Sequence, residues 1–288
     1  MSSKKLTALL ALFILSLGVA FAAHTAELDE VASIYFDAAQ NGKPMPILEA
    51  QPTLRTPENA YAIQRLLVDK LLAAKGDEIA GFKAGATAPA QMERFGSKEP
   101  ASAPLFKSGL IELSDPSQPI KIAPFGGIML ETELAFKAAR PITEPVKDEA
   151  ELKSLVESVH PAIEVPSVYF EDMSKVRFFD LTAAGIGSKM FIIGPAVSVA
   201  DIDPDSVAVT LKRGGETVNE GKGTDALGGQ WKALLWLVNN TVKQGYDVKA
   251  GQYFMTGALG SMIPAKAGAY EADFSPAPLS KILFEVTE

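Results

Sequence analysis

Met129-Leu130-Glu131-Thr132-Glu133-Leu134-Ala135-Phe136 places two glutamates, two residues apart, inside an apolar run. Side chains of an extended strand alternate between faces, so Glu131 and Glu133 share one face while Leu130, Thr132 and Leu134 take the other. A second apolar stretch, Pro161-Ala162-Ile163-Glu164-Val165, carries a third glutamate. Burying like charges side by side costs several kcal/mol or raises a pKa unless a cation lies between them. A hard divalent ion, Mg²⁺ or Mn²⁺, has the required all-oxygen preference, and Glu131, Glu133 and Glu164 would form its facial set. The alternative is a solvated face of an amphipathic strand. The apolar neighbours on both segments favour the ion.

Outward from these segments, the chain reads as a mixture of helices and short strands. A helix is expected from Glu27 to Gln40, closed by Asn41-Gly42, and a second from Thr56-Pro57-Glu58 to Gly76. Threonine suits the N-cap, proline the first turn and glycine the C-terminal cap. From Ile79 onward, strand-like pieces broken by Gly and Pro are expected at 80–84, 105–113, 120–123, 128–136, 162–169, 191–199, 207–211, 253–256 and 282–286. Helices are expected to interrupt them over 148–159 and 225–244, where Trp231 and Trp236 serve core packing. Strands that cluster, without strict alternation with helices, predict an α+β fold with a mixed sheet or roll.

The first 23 residues carry Lys4 and Lys5, an apolar run from Leu6 to Phe21 and an Ala20-Phe21-Ala22 cleavage pattern. These are the parts of a cleavable signal peptide, so a periplasmic or secreted protein is expected. A membrane anchor is the alternative, but the run is short for a span and ends in small residues. There is no cysteine, which excludes a disulfide framework. With 35 acidic against 27 basic residues and a net charge of −8, no clustered basic face is available for nucleic acid. A small anionic substrate stays admissible, because a bound cation reverses the field around it.

Other residues could carry chemistry. Lys83, between glycines in Gly81-Phe82-Lys83-Ala84-Gly85, could bind a carboxylate or act as a base, or could snorkel from a strand edge. Thr256-Gly257, after an apolar strand, could offer a hydroxyl and a backbone N–H to an anion, or form a plain turn. His160, beside Pro161, is read as structural. No nucleophile elbow, dinucleotide fingerprint or P-loop is present.

Taken in order, GFKAGAT (81–87), LETELAF (130–136), PAIEV (161–165), GKGTDALGGQWKALLWL (221–237) and Met255-Thr256-Gly257 resemble the 2-keto-4-pentenoate hydratase branch of the fumarylacetoacetate hydrolase superfamily. The resemblance spans nearly all of the chain after residue 23. It implies a β-roll core over 101–288 behind a helical segment over 24–100, and oligomers of identical subunits. It implies that Glu131, Glu133 and Glu164 ligate Mg²⁺ or Mn²⁺, that Lys83 is the active-site lysine and acts in catalysis with Thr256, and that Lys83, Thr256 and Gly257 meet a small 2-keto acid. The implied reaction is hydration of a 2-hydroxydienoate. Decarboxylation, C–C hydrolysis, or keto-acid binding without turnover by an exported relative are the alternatives. The chain departs from the family pattern at Ala183-Ala184-Gly185-Ile186-Gly187-Ser188, where hydratases show an Ala-Asp-Asn-Ala-Ser-like run. Gln230 stands where proline is common, and Gly260 where a polar residue is often found. The usual acidic and amide side chains are thus missing from the stretch after Asp180.

Overall fold

A computed structural model of the chain describes residues 23–47, 52–113, 115 and 117–288, so the expected signal segment lies outside the described residues apart from its last position. Helix α1 spans 23–40, starting four residues before its expected Glu27, and buries Leu28, Val31, Ala32 and Tyr35. Helix α2 (Pro57–Lys75) begins and ends where its caps predict: the Thr56 side chain accepts from the Asn59 N–H, and Gly76 closes the helix at φ +60. Strand β1 (Ile79–Gly85) follows, then α3 (Pro89–Phe95), β2 (Ala101–Phe106) and β3 (Leu110–Glu112). The single strand expected over 105–113 is split by a turn at 107–109, where Gly109 lies so close to the Lys189 carbonyl that a Cβ would come within 2.2 Å of it.

Next come β4 (Ile120–Ile122), β5 (Met129–Ala138), α4 (Glu149–Lys153) and β6 (Val156–Val165). The helix expected over 148–159 stops at Lys153, because residues from Val156 onward pair with β5: Ala138 with Val156, Phe136 with Val159. Cross-strand pairing outweighs local periodicity there. Helix α5 (Phe178–Ala183), β7 (Met190–Ile193), β8 (Ala208–Arg213) and β9 (Glu216–Lys222) lead to α6 (Gln230–Lys243). This helix starts five residues later than expected, since Gly228 at φ +82 cannot continue a right-handed turn backwards. The chain ends in β10 (Tyr253–Met255), β11 (Ile263–Pro264), β12 (Gly268–Ser275) and β13 (Ile282–Val286).

Two sheets result. The larger runs β2-β1-β10-β5-β6-β7-β3, with β11 on β5, and mixes parallel with antiparallel pairs. Its end strands β2 and β3 are separated only by the turn at 107–109, so the sheet curls into a roll. The smaller sheet runs β4-β13-β12-β8-β9. Strand β1, which precedes residue 100, sits inside the larger sheet between β2 and β10.

Strand β5 divides the interior. Leu130, Leu134 and Phe136 point outward into the main core with Trp231, Leu234, Ile282 and Phe284, and the Phe136 and Trp231 rings lie 5.4 Å apart. Ala135 faces the inside of the roll with Ala162, Phe191, Ile193 and Met255. Glu131 and Glu133 share that inner face. The N-terminal helices form a separate cluster in which Leu28, Tyr35, Ile63 and Leu67 pack with Phe179 of α5. Among the described residues no helix is long and apolar enough to cross a membrane.

Candidate metal centre

The register of β5 against β6 sets Glu131 opposite Glu164 and Glu133 opposite Ala162. Cross-strand partners share a face, so all three carboxylates converge inside the roll. One oxygen from each lies within 4.8 Å of the other two. Glu133 and Glu164 are fully buried. Burial, and next the neighbouring Glu164, push the Glu131 carboxyl up to about 8, with Lys83 pulling the other way. The same two causes, joined by Glu131, raise Glu133 well above the carboxylate range.

Lys83 reaches the cluster from β1, which β10 separates from β5. Its buried ammonium contacts Glu164 Oε1 and donates to the Ile186 carbonyl at 2.8 Å. Glu133 Oε2 accepts the Gly257 N–H at 2.8 Å. Gly257 has φ +109 and lies against Thr87, where a Cβ would stand 2.5 Å from the hydroxyl oxygen, so backbone and crowding both require glycine. Thr256 is buried, and its hydroxyl donates to Gln230 Oε1 at 2.5 Å; Gln230 Nε2 in turn donates to the Gly223 carbonyl at 2.8 Å.

Two carboxylate oxygens, Glu133 Oε1 and Glu164 Oε2, find no hydrogen-bond partner among the described residues. Once all three carboxylates ionise, the one ammonium beside them leaves two negative charges to be neutralised. Hard oxygen donors, orphaned lone pairs and a residual charge of two fit a divalent cation.

Sequence reasoning assembled the glutamates and Lys83 but missed what supports them. The turn at 185–187 presents only backbone to Lys83, from three successive left-handed residues: Gly185, Ile186 and Gly187, at φ +69, +52 and +67. A β-branched residue in that region is strained. Upstream, Asp180 of α5 is fully buried and takes a two-pronged ion pair from Arg55 at 3.0 and 2.6 Å, as well as the Arg177 N–H at 2.9 Å. No local pattern ties Arg55 to Asp180 across 125 residues. His160 stays apart from the carboxylates. Its Nδ1–H donates to the Gly194 carbonyl and its Nε2 accepts from Ser158, each at 2.8 Å, and burial lowers its pKa.

No family model matches the chain. It is 36% identical over 215 residues to the 2-keto-4-pentenoate hydratase of Paraburkholderia phymatum, covering 74% of this chain and 80% of the relative. It is 34% identical, with the same coverage, to the 2-keto-4-pentenoate hydratase of Burkholderia vietnamiensis. Among solved structures, 4-oxalocrotonate decarboxylase from Pseudomonas putida G7, complexed with magnesium and adipate, superposes with a TM-score of 0.81 at 21% identity, over 91% of this chain and 97% of that one. The structural match shows the shared fold, and the sequence matches carry the descent: the chain belongs to the 2-keto-4-pentenoate hydratase family.

Proposed function

We propose that this protein is a hydratase that uses Mg²⁺ or Mn²⁺ to act on a small 2-keto acid presented as its 2-hydroxydienoate. The observation that carries the reading is the buried triad with Lys83 beside it, in a chain 36% identical over 215 residues to a 2-keto-4-pentenoate hydratase. Glu131, Glu133 and Glu164 would hold the ion, which when bound supplies Lewis-acid polarisation of the substrate's 1-carboxylate and 2-oxygen. The Gly257 N–H orients Glu133, and the Thr256 hydroxyl, through Gln230, ties that turn to the start of α6. Lys83 contributes positive charge for the substrate carboxylate and a proton that can be exchanged at Nζ. Its bond to the Ile186 carbonyl keeps the ammonium pointing into the roll. The buried walls of the roll exclude water around these charges, which strengthens each interaction.

The test is direct: purified protein with Mg²⁺ or Mn²⁺ should bleach the ultraviolet absorbance of 2-hydroxypenta-2,4-dienoate, and chelation should stop it. Unchanged absorbance under both metals would overturn the reading. A binding protein without turnover is favoured by one observation, the absence of an acidic or amide side chain at Ala184 and Gly185. Stabilisation by metal plus oxalate in a thermal melt, with no turnover of any keto acid, would select it. Decarboxylation of 4-oxalocrotonate is the other reaction to assay, given the fold shared with that decarboxylase.

The proposal extends to location and assembly. Lys4, Lys5, the apolar run and the Ala20-Phe21-Ala22 pattern support export with removal of residues 1–23, and the family resemblance supports a homo-oligomer. Intact mass of the protein recovered from its native host tests the first. Light scattering on the purified protein tests the second.

A further inference from the structure

Outside the roll, over the seam between its end strands, lies a cavity of about 370 Å³ that none of the three glutamates, Lys83 or Thr256 lines. Its volume falls within the roughly 300–1,000 Å³ of small-molecule sites. The end of α1, the last turns of α2, the outer face of β2 and the segment from Ala184 to Met190 enclose it. Its walls are mostly apolar, with Leu71, Phe106, Phe125 and Met190 among them.

Its charge is predominantly positive, three lysines against Asp77. Lys43, Lys75 and Lys189 all border it, and no carboxylate stands within ion-pair distance of any of them among the described residues. Asp77, the one acidic residue among the described lining residues, is turned to Ser108, accepting its N–H at 3.0 Å and its hydroxyl at 2.5 Å. The Lys189 ammonium lies over the Phe125 ring, 5.7 Å from its centre. Partial burial and the charge of Lys75 both hold the Lys189 pKa down, as expected where two cations lie near each other.

We propose that this cavity binds an amphipathic monoanion, an aliphatic carboxylate whose tail lies on the apolar walls and whose head meets Lys75 and Lys189. The site is separate from the triad, and the proposal does not rest on the reading given to the triad. The two sites meet at one turn. Gly185 and Gly187 line the cavity, while the carbonyl of Ile186 between them faces the opposite way and holds Lys83.

Calorimetric titration of the full chain in excess Mg²⁺ with octanoate tests this, with 1-octanol as the uncharged control. Saturable one-to-one binding is expected, at least about tenfold tighter than 1-octanol, because the head group gains charge-assisted contacts. Saturating oxalate should leave it unchanged. Lys189→Gln, which removes a charge at the surface, and Leu71→Trp, which fills the cavity, should each weaken it by about tenfold or more. Competition by oxalate would place octanoate on the triad and overturn the proposal. So would equal affinity in the wild type and both variants, or no saturable binding up to about 10 mM. The oxalate arm uses the wild-type chain and stands whether or not a variant folds.

Discussion

At the scale of single residues, the four charges inside the roll differ in what their loss should do. Glu133→Gln keeps the shape and the bond from Gly257 but removes a ligand charge, and metal affinity is expected to fall by at least about 100-fold, the upper end of what losing an outer partner costs. Calorimetric titration with Mn²⁺ measures this, and an unchanged affinity would move the ion elsewhere. Lys83→Met is expected to separate binding from turnover. Without the ammonium the triad is more negative, so Mn²⁺ should bind at least as tightly, while kcat should drop by about 10²–10⁴, the range for a lost proton-transfer group. A fall in Mn²⁺ affinity with kcat intact would show that Lys83 supports the carboxylates and does no more. The glutamates were legible in the sequence because period-two spacing in an apolar strand leaves few other readings. Gln230 and Ile186 were not: Gln230 acts through the Thr256 hydroxyl and Ile186 through its backbone, and neither role leaves a mark in residue type.

At the scale of elements, the turn that holds Lys83 depends on α5, and α5 depends on Arg55. The guanidinium pairs with the fully buried Asp180 and lies 5.2 Å from the centre of the Phe179 ring, so it joins the segment before α2 to the helix that delivers residues 184–188. Arg55→Met leaves a buried carboxylate without its counter-charge and is expected to cost about 3–5 kcal/mol. Denaturant unfolding of the metal-free protein measures it. A loss under about 1 kcal/mol would mean that water replaces the guanidinium at small cost. Helix α2 was predictable to the residue because Thr56, Pro57 and Gly76 act locally. The stretch after Lys153 was not, because whether Val156 to Val159 coil or extend is decided by β5, which lies nearly twenty residues earlier in the chain. Strand β12 was passed over although Tyr270, Ala272 and Phe274 alternate inward, since its charged neighbours hid the apolar face.

At the scale of the whole molecule, the triad makes stability depend on pH and metal together. The Glu131 carboxyl is raised from 4.5 to about 8 on folding, so the folded state holds a proton that the unfolded state gives up. Its contribution is fully present below the unfolded value of 4.5 and is lost as pH rises through about 8. Glu133 acts in the same direction. A divalent ion replaces those protons, so the gap in Tm between Mn²⁺-loaded and EDTA-treated protein is expected to widen from pH 6 to pH 9. Differential scanning calorimetry checks this, and a gap that is constant or shrinks would show that the ion binds away from these carboxylates.

The chain by itself determined the three carboxylates, the shared face of Glu131 and Glu133, the helix caps and the family, because alternation, capping and motif order are properties of short segments. The tertiary structure decided what those segments meet. The β5–β6 register carries Glu164 to Glu131, β10 spaces Lys83 from β5, and a left-handed turn supplies the carbonyl that holds the lysine. These follow from burying the two faces of β5 against different partners, a free energy summed over residues far apart in sequence that no local window contains.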